Sequence, residues 1–269
     1  MFNILFAKTF FLVSIMLIIT SVTTRINKDY ETPKEAIFTF LGSFVFLFAV
    51  TYFSEIFPLN ILMVCCFSAI IGWSLGPTIT SIGRRFKYKR FLKKRNILTK
   101  KDSEDKEIVT YTKNDKGEMH IIKGEELESL LQEFEKEIEK GGDPYNKKWQ
   151  NIVFQAMLGT ALAVLLTAIL VFFTSIDFSF LGIFLFMSLI LLIVFQLLNA
   201  FIFKSPLLSL LKAYFGLIIF ILYLVYDFNR LESMIAQGDT SWSTAIDIAV
   251  NLYLDIINLF LDLLEILAE

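Results

Sequence analysis

The sequence predicts an all-α, polytopic membrane fold: seven transmembrane helices with a central C-terminal helix, plus a small soluble insertion between the third and fourth. Three observations predict it. Hydrophobic residues make up 55% of the 269-residue chain and charged residues only 19%, which is more apolar surface than a soluble core of this size can hide. Seven apolar segments stand at residues 5 to 22, 36 to 57, 59 to 81, 151 to 173, 178 to 203, 206 to 227 and 243 to 267. Each has about the 17–25 residues that a helix rising ~1.5 Å per residue needs to cross ~30 Å of hydrocarbon. The charge lies elsewhere: residues 83 to 150 hold 18 of the 25 Lys and Arg and 14 of the 27 acids. The expected organisation is therefore residues 1-82 with helices one to three, 83-150 as the soluble insertion, and 151-269 with helices four to seven. Runs this long and this uniformly apolar exclude the alternating strands of a barrel.

The first segment reads as a membrane helix rather than a cleaved signal peptide. Its only early charge is Lys8, and it has no small-x-small cleavage site. In the third segment Cys65 and Cys66 are adjacent, a spacing that cannot form an ordinary structural bridge inside a helix, so both are packing residues. The insertion opens with Arg84-Arg-Phe-Lys-Tyr-Lys-Arg-Phe-Leu-Lys-Lys-Arg95, eight basic residues in twelve with aromatic residues between them. Directly after a membrane helix such a run binds anionic lipid headgroups. No nucleic-acid fold signature accompanies it. Residues 107 to 112 and 119 to 122, separated by Asn114-Asp-Lys-Gly117, predict a hairpin. From Glu125 to Lys140 the apolar residues Leu127, Leu130, Leu131, Phe134 and Ile138 recur at helical spacing, and Gly141-Gly142 and Pro144 end the run. His120 is the only histidine and has no cysteine nearby, so it reads as a strand residue and not as a metal ligand.

The last segments carry the chemistry. Asp227 ends the sixth segment, and Asp247, Asn251, Asp255, Asn258 and Asp262 follow along the seventh at spacings of 4, 4, 3 and 4. Those intervals put the five on one face of a helix. Carboxylates are expensive at membrane depth and there face a bundle interior or a wet cavity, so Asp227 and Asp255 are the leading site candidates. Asp247, Asn251, Asn258 and Asp262 would extend them into a conduit wall of oxygen ligands, which suit hard cations such as Ca²⁺. The plainer reading is a seam of hydrogen bonds between helices. The acidic polar face suits a buried helix better than one lying on anionic lipid.

Leu252-Tyr-Leu-Asp-Ile-Ile-Asn-Leu-Phe260, with Tyr226-Asp227 before it, resembles the signature of the Bax inhibitor (transmembrane Bax inhibitor motif) family of seven-helix membrane proteins. Supporting pieces follow in family order: Gly72-Trp-Ser-Leu-Gly-Pro77, Gln155-Ala-Met-Leu-Gly-Thr-Ala161 and Asp177-Phe-Ser-Phe-Leu-Gly182. The resemblance implies a bundle around a central seventh helix. It also implies that two acids, Asp227 and Asp255 by motif position, form a proton-sensitive pair that controls a calcium leak. Two carboxylates close together in a low-dielectric site share a proton and titrate as a unit, and Ca²⁺ competes with that proton.

The chain also departs from the family. Phe228-Asn229 follows the first acid where relatives commonly have Thr-Gln, and Arg230 stands where it can pair with Asp227. No Lys or Arg lies between residues 35 and 83, which removes the basic latch proposed for some relatives. The large insertion replaces a short link. Loop charges put that insertion and the C-terminus in the cytoplasm and the N-terminus outside, whereas the resemblance implies the link lies outside.

The expected function is a pH-sensitive calcium or cation leak channel in a bacterial-type plasma (inner) membrane, with no catalysis and no cofactor beyond Ca²⁺ as the permeant or bound ion. The alternative is a non-conducting modulator that binds protein partners such as a membrane-anchored protease, and a solute transporter is a weaker third reading. One histidine, free cysteines and membrane acids supply no nucleophile and base arrangement.

Overall fold

A computed structural model of the protein describes residues 3–101, 108–113, 119–139, 144–174, 176–203 and 205–269. Its elements run α1 (Ile4–Ile26), α2 (Pro33–Tyr52), α3 (Leu59–Lys94), β1 (Ile97–Lys101), β2 (Ile108–Lys113), β3 (Met119–Ile122), α4 (Glu125–Glu139), α5 (Asn146–Phe173), α6 (Leu181–Leu198), α7 (Pro206–Ala236) and α8 (Trp242–Ala268). The fold is an all-α polytopic membrane bundle. Among the described residues six helices, α1, α2, α3, α5, α6 and α7, are long and apolar enough to cross a membrane. The seventh expected span is α8, which packs against α1, α3, α5 and α7. A helix wrapped by others can carry polar residues that a lipid-facing helix cannot. At the periphery α2 lies on α3 and α6 on α7. On α6 Leu185 and Leu192 are buried, Leu181 and Leu189 pack against the core, and most of the remaining apolar surface turns outward, as lipid-facing residues must.

Local chemistry sets the helix ends. Asn3 Oδ1 accepts from the amides of Leu5 and Phe6, Thr32 caps α2 ahead of Pro33, Ser205 caps α7 ahead of Pro206, and Ser241 caps α8. Each cap satisfies amides that a helix start leaves without partners, and proline at the first turn gives up no helical bond. The Gly72–Pro77 motif builds the α1/α3 contact. A Cβ at Gly72 would strike Thr20 and Thr23, and one at Gly76 would strike the Asn27 carbonyl, so the two helices cross at backbone distance. Pro77 lacks the amide that would bond the Trp73 carbonyl, and Asn27 Nδ2 donates to that carbonyl instead, at 3.0 Å. Thr24 Oγ1 donates to the Gly72 carbonyl at 3.1 Å.

The two ends of the bundle differ. The far end gathers the α1 start, residues 53–58, residues 176–180 and the α7–α8 turn. There Lys8 Nζ donates to the Thr240 carbonyl at 2.6 Å, and Ser243 Oγ donates to Ser54 Oγ at 3.0 Å. The opposite, module end holds the extension of α3, the strands, α4 and the C-terminus. Here the structure extends two expectations. The basic run is the unbroken continuation of α3 to Lys94. The expected hairpin is part of a three-stranded antiparallel sheet in the order β1-β2-β3; Thr112 is registered opposite His120, and β1 forms from the residues that leave α3. The expected turn at residues 114–117 and the Gly141-Gly142 terminator lie outside the described residues. Phe91, Leu92, Ile97, Leu130, Phe134 and Tyr145 form a separate small core for this module.

Much of the basic run is engaged inside the molecule. Arg84 pairs with Glu135 and Arg95 with Glu133. Lys94 Nζ lies 3.0 Å from Glu137, all three acids being on α4. Arg85 lies 3.3 Å from Glu265 and Lys89 2.5 Å from Glu269, both at the α8 end. Hydrogen bonding from Lys94, aided by Tyr145, holds the Glu137 carboxyl below its usual range.

Candidate functional site

Helices α7 and α8 run antiparallel through the short turn at residues 237–241, so residues about equally far from that turn meet across the pair. Asp227 and Asp255 are one such couple. Asp227 is 4% exposed and Asp255 6%, and their carboxyls lie within hydrogen-bonding reach of each other. Oδ2 of Asp255 is buried with no hydrogen-bond partner. A contact between two carboxyls needs a proton between them or a cation beside them, because two bare negative charges in a medium of low polarity repel strongly. Tyr223 on α7 lies within electrostatic range of both acids. Among the described residues no group of three or more His, Cys, Asp or Glu converges in a way that could hold a metal ion. A cation at the pair would therefore complete its oxygen shell largely with water.

The other residues of the polar row separate by environment. Asp247 is exposed at the far end, Asn251 and Asn258 are half-buried, and Asp262 is 2% exposed. Arg230 forms an ion pair with Asp247 across the α7–α8 seam and stays within electrostatic range of Asp227. Asp262 has a partner that the sequence reading did not identify: Lys212 Nζ on α7 lies 2.8 Å from its Oδ1. The signal was a single Lys inside an otherwise apolar membrane segment, a residue that must find a counter-ion there.

The departures from the family signature have structural roles. Phe228 is fully buried and packs against Phe10 and Phe172, both at 6.2 Å between ring centroids. Asn229 fastens the loop before α6: its Nδ2 donates to Asp177 Oδ1 at 3.1 Å, and its Oδ1 accepts from the Phe178 amide at 3.2 Å. The Ser179 amide and hydroxyl, with Asn229, hold the exposed Asp177 carboxyl below its usual range. A crevice of about 550 Å³ opens at this end, lined among others by Asp177, Tyr226, Asn229, Arg230 and Glu232. Tyr226 and Arg230, neighbours of Asp227 along α7, line it, whereas Asp227 and Asp255 do not. Below them, Tyr253 OH and Thr20 Oγ1 are 2.6 Å apart, and Thr20 Oγ1 also donates to the Ser68 carbonyl at 3.1 Å. These bonds tie α8 to α1 and α3 by neutral groups.

Comparison with known proteins adds a family. Residues 145–269 match the family described as Inhibitor of apoptosis-promoting Bax1. Protein LIFEGUARD 4 of Arabidopsis thaliana is 37% identical over 118 residues, which is 43% of this chain and 46% of that protein. An uncharacterised Campylobacter jejuni protein is 36% identical over 116 residues, 43% of this chain and 47% of its own length. The Golgi anti-apoptotic protein of Vaccinia virus is 34% identical over 117 residues, 44% of this chain and 47% of its own length. The chain thus spans about half the length of the curated relatives it matches. The matched stretch contains α5 to α8 and every acid of the polar row.

Proposed function

We propose that this chain, whose residues 145–269 match the Bax inhibitor family, is a cation leak, conducting Ca²⁺ under the control of the Asp227–Asp255 pair. One observation carries the reading: two buried carboxyls face each other at mid-bundle, with an oxygen of Asp255 left without a partner. Such a pair has two stable occupants, a proton or a cation. At low pH the shared proton neutralises the site and removes the attraction for cations; at higher pH the proton leaves and a hard cation is the favoured counter-charge. Flux therefore follows pH through competition at the pair, and the titration belongs to both acids together. Two carboxyls without a converging third suit passage better than storage, since conduction requires a site weak enough to leave. The crevice at Asp177 and Arg230 supplies the far-end mouth, and the α8 row leads from the pair toward the module end.

In the same proposal the module end is cytoplasmic, because among the described residues the basic side chains at the far end are Lys8 and Arg230. The membrane is a bacterial plasma membrane, in line with the match to the Campylobacter chain. Anionic headgroups contact the face of the α3 extension that carries Arg90, which lies over the Phe86 ring at 5.2 Å. Binding of the detergent-solubilised protein to lipid should then tighten with anionic lipid content and weaken with salt; equal affinity for neutral lipid would remove this contact. The leak itself is tested by Ca²⁺ flux into liposomes at several pH values with wild type and Asp255→Asn. Flux that depends on pH only in the wild type supports the reading. If wild-type liposomes are tight at every pH, the non-conducting modulator becomes the better account.

A further inference from the structure

Seven residues beyond Asp255, about 10 Å along the same helix, α8 carries a second buried acid whose surroundings the dyad does not explain. Lys212 Nζ is 2.8 Å from Oδ1 of Asp262, the side chains being 22% and 3% exposed. The other oxygen, Oδ2, is buried and has no hydrogen-bond partner. Opposite it, one turn along α7 from Lys212, stands Gly216. A Cβ there would collide with the carboxylate, so α7 gives up a side chain where Asp262 needs room. Glu265 lies near enough to act on Asp262 electrostatically and is itself engaged by Arg85 at 3.3 Å. The result is a carboxylate that is walled in, half satisfied and held by a single ammonium.

We propose that Asp262 forms a second cation site of the conduit, toward the module end, and that Lys212 is the tethered counter-cation that fills it and keeps that half of the path closed. The side chain chosen fits the role. An Arg fork would engage both oxygens of a carboxylate and lock them. A Lys ammonium is a compact charge on a flexible four-carbon stem; it satisfies one oxygen and leaves the other exposed to whatever enters. A group that only glues helices would leave no such oxygen, since an unpartnered buried acceptor is costly. When the stem swings away, the carboxylate has lost its counter-charge and takes up the nearest hard cation, which then has a station between the dyad and the module end. Site and plug are thus the same position with two occupants, Lys212 and a divalent cation. The closing role rests on the leak reading; the binding role does not.

The test uses the full-length protein with Lys212→Met, Lys212→Met/Asp262→Asn and Asp255→Asn. Calcium binding is read as stoichiometry by equilibrium dialysis and as the calcium-dependent rise in melting temperature, and flux is read in liposomes. Lys212→Met is expected to bind one calcium equivalent more than wild type, to show a larger calcium-dependent rise, and to leak several-fold faster. The double variant, which makes the buried pair neutral, should fold and lose the added equivalent. If Lys212→Met folds only when calcium is present, the site is equally supported, because a ligand that binds only the folded state stabilises it. The proposal is overturned if Lys212→Met gains neither binding nor flux, or stays unfolded in millimolar calcium while the double variant folds. Failure of the leak reading looks different: Asp255→Asn leaves flux and its pH profile at wild-type values, while the binding result at Asp262 stands by itself.

Discussion

The two buried acids of α8 are alike in position and opposite in company. Asp255 and Asp262 are 6% and 2% exposed, both face α7, and each has one oxygen without a partner. Asp255 meets another acid, Asp227, whereas Asp262 meets a base, Lys212. Burial raises the energy of a bare charge in both places, so the partner decides how each site becomes neutral. The first must import a proton or a cation from outside, which makes it responsive to the medium. The second carries its own cation and is neutral as folded. A bundle with both therefore has one station that senses the solution and one that is closed by default, built from the same residue type two turns apart.

That contrast can be broken by mutation, and the expected losses form a graded series. The largest is Lys212→Met, which strands a buried carboxylate and should lower stability in detergent by about 3–5 kcal/mol at low calcium. Asp255→Asn should cost far less, because it removes one of two repelling acids; equal losses in chemical denaturation would erase the distinction. Next comes Gly216→Ala, whose Cβ collides with the Asp262 carboxylate. Its expected loss is about 1–3 kcal/mol, the usual range for overpacking, and the Lys212–Asp262 bond should lengthen in a structure of the variant. An unshifted melting temperature would mean that the space beside Asp262 is looser than described. The smallest effect belongs to Asp247→Asn, which breaks the exposed pair with Arg230. A loss of about 1 kcal/mol or less, shrinking further with added salt, is expected; a loss as large as that of Lys212→Met would show that exposure is not what separates these pairs.

Much of this was legible in the sequence because it rests on local periodicity. The polar row on α8 followed from intervals of 4, 4, 3 and 4, the lengths of the apolar runs marked the spans, and Leu130, Phe134 and Ile138 marked α4. Pairings between distant residues were not legible. Lys212 and Asp262 are 50 positions apart and nothing local links them, while Arg230 sits beside Asp227 in sequence and turns to Asp247 in the fold. The α3 extension was hidden for a different reason: eight basic residues in twelve announce a charged surface, but the aromatic residues between them, Phe86 and Phe91, are the buried stripe of a continuing helix. Nothing in the sequence assigns the residues of β1 to an element, because their strand character depends on pairing with β2. The family match over residues 145–269 carries the acids, and the module end has to be understood from its own contacts.

The central claim is that the Asp227–Asp255 pair couples cation passage to protons. Its most direct test is the pH profile of Ca²⁺ flux into liposomes containing purified wild type or Asp255→Asn, at matched protein density and with Asp262→Asn beside them. The account predicts wild-type flux that falls as pH drops and protons fill the pair. It predicts a nearly flat, weakened profile for Asp255→Asn and a retained pH dependence for Asp262→Asn. An Asp255→Asn profile that superimposes on the wild type would contradict it and leave the acid as a structural link between α7 and α8.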